Sequence, residues 1–578
     1  MEKPEAIKDS SVTSVFVEKE DALNQPEAPA SVHTRPSLLN PIHLDQVLPD
    51  HIAQFLFGDP IEFLVSSSQP SRSKLSLQGK KLASLEIRIE ASSHGINISM
   101  RSDFGYRTFE VFTTAGVGYI PRGIAQRQIS FTNSGSHESF GFISRWVEDC
   151  RAHPDCFQNN TPLPSRVLDV SNPNEIRLRS GAEVIGIEVN TLSKTFQDAI
   201  ALTRHLGIKF LWIDSLCIIQ DDPEDWAKES AQMATVYRDA FLVIAATRDE
   251  HGDIGCFSDR TKPTLCFEVP LPDDQVARVY LRSRPNYWPF DPLSMYKMSH
   301  DAEYPLLSRA WCSQERILAK RMIHFAGEEL FWECQTRTRC ECSSLDEVAS
   351  ASDSFRTVWA TERRPEKLFE VWHKIIQLYS PLHITYQSDR LPAISGLAKY
   401  LQSRGCGEYV AGIWVQNIFV DLMWSNFGRT SRPEEWRAPS WSWICADFAY
   451  IRFPVLATNV QTLRKSPYST KTPSGQDFKT RIVSIDYELS GADWTGAVNR
   501  AVLSISAPAI SVQIVVRRFP QWRLYNGDEY LVAHDMNELD CLDDFTDDEV
   551  PVLCVWEARF LPDTAFLYRI SPVVFVFL

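Results

Sequence analysis

Residues 196–247 read FQDAIALTRHLGIKFLWIDSLCIIQDDPEDWAKESAQMATVYRDAFLVIAAT. From Thr195 to Leu206, the side chains of Phe196, Ala199, Ile200, Thr203 and Leu206 fall on one helical face, and Gly207 follows as a stop signal. IKFLWID is an apolar run of buried-strand length ending on Asp214. Asp222 and Pro223 are the residue types of an N-cap and a first helical position, predicting a helix to about Ala240. Within it Trp226, Ser230, Met233 and Tyr237 recur at helical spacing. FLVIAAT, residues 241–247, then reads as a second buried strand. Helix, strand, helix and strand with short connections predict an α/β layer on a mostly parallel sheet flanked by helices.

Outward from this centre the chain divides by composition. Residues 1–45 are rich in Pro, Glu and Ser and lack apolar periodicity, so they are expected to form a disordered leader. Residues 46–145 favour short strands such as LEIRIEA and FEVFTT, a β-rich N-terminal region. The central domain is expected over 146–345. Within it lie a Pro-rich loop region at about 255–305, a helix over Arg309–Ala319, and a hairpin of MIHF and ELFWEC around Ala326-Gly327. Residues 346–450 read as a mostly helical region ending in RAPSWSW, and 451–578 as a β-rich C-terminal region. The abrupt apolar end, Val573 to Leu578, leaves open a truncated or frameshifted terminus.

The 578 residues carry 59 Lys+Arg against 74 Asp+Glu, a net charge of −15, which argues against general nucleic-acid or anionic-membrane binding. Thirteen Cys, an odd number with no signal peptide, read as a reduced, cytoplasmic protein. No apolar run approaches the ~20 residues a membrane-spanning helix needs. No Walker loop, GxGxxG, HExxH or GxSxG motif occurs.

Four constellations could carry chemistry. Cys150-x2-His153-x2-Cys156, after Trp146, counts two thiolates and one imidazole but lacks a fourth donor nearby. Cys334, Cys340 and Cys342 lie far downstream, so a helix packing Trp146 with buried thiols is expected and no metal is assigned. The strand end LWIDSLCIIQDD places Trp212, Asp214, Ser215 and Asp222 where ligands bind in parallel α/β sheets, although Asp222 also reads as a plain helix cap. In SRAWCSQERIL, Glu315 beside Trp311 is a carboxylate that burial could raise for work at a glycosidic bond; an ion pair with Arg309 or Arg316 is the alternative. In RAPSWSWICADF, Trp441 and Trp443 alternate and are expected in the core.

Two of these blocks carry a resemblance. FQDAIALTRHLGIKFLWIDSLCIIQDDPEDWAKESAQMATVYRDAFLVIAAT and LSRAWCSQERILAKRMIHFAGEELFWEC resemble the fungal heterokaryon-incompatibility (HET) domain family. LPSRVLDV, DRLPAISGLAKY, YVAGIW and RAPSWSW extend the likeness to roughly 146–448. The resemblance implies a cytoplasmic effector of non-self recognition that triggers growth arrest or programmed cell death through self-association or a protein partner. It also implies a distant, TIR-like relationship to Toll/interleukin-receptor domains, some of which cleave NAD with a helical Glu after a Trp-Cys pair. Trp311-Cys312-x2-Glu315 is similar to that pattern, so NAD becomes the implied substrate and Glu315 the implied catalytic residue, with Asp214 as a second catalytic candidate from its place at the strand end. The family's early block of the ALSxxWG type is not present between LPSRVLDV and the first helix. Its loss would expose sheet edges, which leaves an inactive paralogue as a further alternative.

Overall fold

The computed structural model describes residues 125–506 with short interruptions, the longest being 291–302 and 454–468, together with strands from Ser76 to Thr113 and from Ile510 to Val576. The expected leader over 1–45 and the segment VGYI lie outside the described residues. The chain separates into two compact units.

The first unit comprises residues 1–134, 258–287 and 339–348. Leu85–Ser92, Gly95–Ser102 and Gly105–Thr113 form an antiparallel meander, and Val276–Ser283 and Leu265–Pro270 extend it beyond Gly105–Thr113. The last two strands occupy part of the stretch expected to be Pro-rich loop. VARVYLRS, residues 276–283, contains no proline and alternates, so it can complete a ladder.

The second unit, 135–257, 288–338 and 349–578, holds the stretch from which the fold was read. The expected helices form as Lys194–His205, Pro223–Asp239 and Ala310–Leu318. Ser193 accepts from the Phe196 N–H, Gly207 takes φ +69°, and Asp222 accepts from the Glu224 and Asp225 N–H groups. Gly207 and Asp222 are the stop and start signals that the residue types predict, and Ser193 adds a cap of the same chemistry.

The mostly parallel sheet is not what assembles. One sheet runs Phe210–Leu211, Arg166–Asp169, Ile176–Ser180, Glu183–Ile187, antiparallel throughout. A second places Val243–Ala245 parallel to Arg321–Phe325, which pairs antiparallel with Leu330–Cys334. The physical reason lies in IKFLWID: only Phe210 and Leu211 pair, because Asp214 opens a helical turn, Asp214–Cys217. The segment 176–187 also folds back as a hairpin on Arg166–Asp169, so the strand nearest Phe210 runs antiparallel to it. The hairpin's outer strand, Glu183–Ile187, is an edge with Val184 and Ile185 exposed (51% and 56%).

The largest core lies under Pro365–Tyr379 and Pro392–Leu401, where Leu368, Trp372, Ile376, Ile394 and Leu397 are buried. Trp443 joins that core from a 3-10 turn, Trp443–Cys445, rather than from an extended segment. Its indole and that of Trp372 both donate to the Gly412 carbonyl, at 3.0 and 3.1 Å. Gly412 sits at φ +89°, and a Cβ there would lie 2.7 Å from Trp443 Nε1. Both the left-handed backbone and the close indole require glycine. Beyond it, Arg481–Leu489 and Val498–Ser506 form an antiparallel hairpin.

Candidate functional site

The Ala310–Leu318 helix is anchored at both ends. Its Ala310 N–H donates to the His383 carbonyl at 2.8 Å, and Gln335 Nε2 donates to the Ala319 carbonyl at 3.1 Å. In its middle, Gln314 Oε1 accepts the Gly396 N–H at 2.7 Å. Burial of Ala310, Cys312, Gln314 and Ile317 leaves Trp311 and Glu315 half-buried on one side of the helix.

That side faces a cleft of about 2120 Å³ within the second unit, lined by Glu315, Asp214, Arg309, Trp311, Trp212 and Tyr237 among others. Tyr237 reaches it from the Pro223–Asp239 helix, and its ring meets the Trp212 ring edge-on, 5.8 Å between centroids. Asp214 starts its helical turn there, its carboxylate accepting the Ser215 N–H at 2.7 Å. The Trp311 indole donates to Asp389, whose carboxyl burial pushes upward.

Glu315 is the perturbed group of the cleft. Its carboxyl is raised from 4.5 to about 7, by burial first and by the neighbouring Asp214 charge second. The Arg309 guanidinium and hydrogen bonds from the Tyr237 hydroxyl and the Cys312 thiol act in the opposite direction and are outweighed. Burial, with the Glu315 charge next, also holds Tyr237 and Cys312 well above their ordinary values, so both remain protonated donors. The ion pair with Arg316 does not form: Arg316 grips Glu333 through two bonds of 2.7 Å. A carboxyl titrating near neutrality beside donors, a cation and aromatic faces can stabilise a developing positive charge or pass a proton.

Of the residues singled out in the sequence, Glu315, Asp214, Trp212, Ser215 and Trp311 line one cleft. Asp222 does not line it; its carboxylate is spent capping the Pro223–Asp239 helix. Tyr237, Arg309 and Asp389 were not assigned to a site from sequence. Tyr237 had a signal, its place on the apolar stripe of a helix, but nothing in that stripe showed which helix it would face.

A comparison with family models matches residues 168–315 to the family described as Heterokaryon incompatibility protein (HET). No curated protein and no solved structure gives a significant match. The match is narrower than the expected 146–448 likeness, starting in the Arg166–Asp169 strand and ending on Glu315. Residues 168–315 of this chain are therefore similar to the heterokaryon-incompatibility family, and the residues around Glu315 form a cleft at the end of that match.

Proposed function

We propose that the chain is a cytoplasmic effector of heterokaryon incompatibility, causing growth arrest or cell death on non-self recognition, and that it acts by hydrolysing NAD in the cleft around Glu315. The observation that carries this reading is a helical carboxyl at the end of the family match, raised to about 7 and opening onto a cleft lined by Trp212, Trp311 and Arg309 among others. Indole faces suit the flat bases of a dinucleotide, and a guanidinium suits its pyrophosphate.

In this reading the ribosyl C–N bond breaks and its electron pair returns to the nicotinamide nitrogen, which leaves neutral. Ionised Glu315 stabilises the oxocarbenium-like ribosyl cation. Water adds to that carbon, Asp214 takes its proton, and ADP-ribose is released. Because the carboxylate acts at the transition state, Glu315→Gln is expected to lower kcat by 10²-fold or more, a loss of roughly 3 kcal/mol, with the fold retained. The test follows NAD consumption by purified wild type and variant after circular dichroism shows both folded. Equal turnover in the two would sink the assignment of Glu315.

A second reading, signalling by self-association without chemistry, is supported by the Glu183–Ile187 edge strand. Its exposed Val184 and Ile185 and open ladder offer a pairing template for a second copy. A folded wild type that leaves NAD intact and forms oligomers on activation would favour it.

A further inference from the structure

We propose that Cys150, His153, Cys156 and Cys334 form a closed structural zinc(II) site, tying the end of the His137–Arg151 helix to the end of the Leu330–Cys334 strand. The residues come from two distant parts of the chain, and the fold brings them together within the second unit. Their ligand atoms all lie within 4.8 Å of one another.

Local structure explains how three of the four converge. Cys150 is in the last turn of the helix, the His153 N–H donates to the Cys150 carbonyl at 3.0 Å, and the Cys156 N–H donates to the His153 carbonyl at 3.1 Å. These tight turns, ending in the 3-10 helix Pro154–Cys156, return side chains spaced three apart to one place. Cys334 closes the set from the strand end, where its N–H donates to the Arg337 carbonyl at 2.9 Å.

The geometry fits a tetrahedral ion. Zinc–sulfur and zinc–nitrogen bonds of about 2.3 and 2.05 Å place neighbouring N and S ligands ~3.6 Å apart. His153 Nδ1 lies 3.6 Å from Cys334 Sγ and 3.9 Å from Cys156 Sγ. Cys150, Cys156 and Cys334 are at most 1% exposed and His153 is half-buried, so protein supplies all four positions. Three thiolates and one imidazole select zinc over hard cations such as magnesium or calcium, and the absence of an open position makes the role structural.

Surrounding groups suit the thiolate form. The Arg337 N–H donates to Cys334 Sγ at 3.3 Å, and the Thr336 hydroxyl stands 3.7 Å from Cys156 Sγ. Arg321 donates to the Cys156 carbonyl at 2.8 Å, bringing a cation beside a complex of net charge −1. Such contacts orient ligands and offset charge at metal sites. Zinc ligation requires each of the three thiols in its thiolate form. Zinc binding would expel the protons that remain.

The test uses the full chain, purified under reducing conditions from zinc-supplemented cells without chelator. Elemental analysis is expected to give one zinc per chain, and cobalt(II) substitution to give thiolate-to-metal charge-transfer and tetrahedral ligand-field bands. Chelation should lower Tm and expose three further thiols to alkylation. Cys334→Ser should lose the metal. If it fails to fold, His153→Cys in the wild-type chain, which keeps a four-ligand set, should fold, keep zinc and shift the cobalt spectrum. A folded wild type that carries no zinc and takes up none, or a disulfide between two of these cysteines in it, overturns the proposal. Zinc retained by folded Cys334→Ser with an unchanged cobalt spectrum overturns it as well.

Discussion

Gly396 donates its backbone N–H to Gln314 Oε1 at 2.7 Å, and a Cβ on Gly396 would lie 2.3 Å from the Cβ of Ala234. Three helices, Pro223–Asp239, Ala310–Leu318 and Pro392–Leu401, meet at this point. Tyr237 and Glu315 stand on two of them, so the glycine sets the separation on which their hydrogen bond depends. Gly396→Val is expected to destabilise the chain by about 1–3 kcal/mol through overpacking, read as a lower Tm. An unchanged Tm would show that the helices can separate without cost.

Glu315 also makes stability depend on pH. Its carboxyl titrates at about 7 in the folded chain against 4.5 as an ordinary value, so the native state holds the proton more tightly. Stability contributed by the protonated form is present below about 4.5 and is lost as pH rises through about 7. The full loss is of order 3 kcal/mol. Glu315→Gln removes this dependence, so the variant should gain stability over wild type between pH 4.5 and 8, as denaturant titrations at the two pH values would record. Parallel behaviour of the two chains would contradict the burial argument.

NAD hydrolysis, if it runs through ionised Glu315, should rise with pH across about 7. Two substitutions should move that midpoint in opposite directions. Asp214→Asn removes a charge that raises the Glu315 carboxyl, so the midpoint falls; Arg309→Gln removes one that lowers it, so the midpoint rises. Because Asp214→Asn also removes the proposed proton acceptor, the midpoints are read by spectroscopic titration of the Glu315 carboxyl, and titrations that fail to split in this order would reject the electrostatic account of the cleft.

The helical region depends on a buried polar cluster. Asp421, 1% exposed, accepts from the Trp414 N–H at 2.8 Å and from Asn417 Nδ2 at 2.6 Å, and lies 2.7 Å from His373 Nε2. Asp421→Ala strips several buried groups of their partner at once and is expected to cost roughly 3–5 kcal/mol. Chemical denaturation measures this directly, and a loss below about 1 kcal/mol would mean that water replaces the carboxylate.

Self-association through the Glu183–Ile187 strand should be abolished by charge at its exposed positions on both faces. Val184→Lys combined with Ile185→Lys is expected to leave stability within about 0.5 kcal/mol of wild type, since both side chains are exposed. Light scattering before and after activation reads the outcome; oligomers persisting in the double variant would place the contact elsewhere.

Helix starts and stops were legible because their signals are local. Asp222-Pro223 and Gly207 act within a turn of themselves, and the structure uses each at the boundary its chemistry implies. The Arg321–Phe325 and Leu330–Cys334 hairpin was legible for the same reason, with Gly327 supplying the positive φ at its turn. Periodicity also placed Glu315 on the helix with Trp311 and Cys312.

What local signals could not carry was partnership between distant segments. IKFLWID is apolar enough for a buried strand in either orientation, and only the 176–187 hairpin decided that its paired residues run antiparallel to Arg166–Asp169. Cys334 lies 181 residues from His153 in the chain, yet their ligand atoms are 3.6 Å apart. The Glu315 carboxyl likewise is set by burial and by Asp214 and Tyr237, which arrive from two other segments. Caps and helical faces are set by interactions spanning three or four residues. Strand direction, metal geometry and the field at a carboxyl are set by neighbours that only the packed chain brings within a few ångströms.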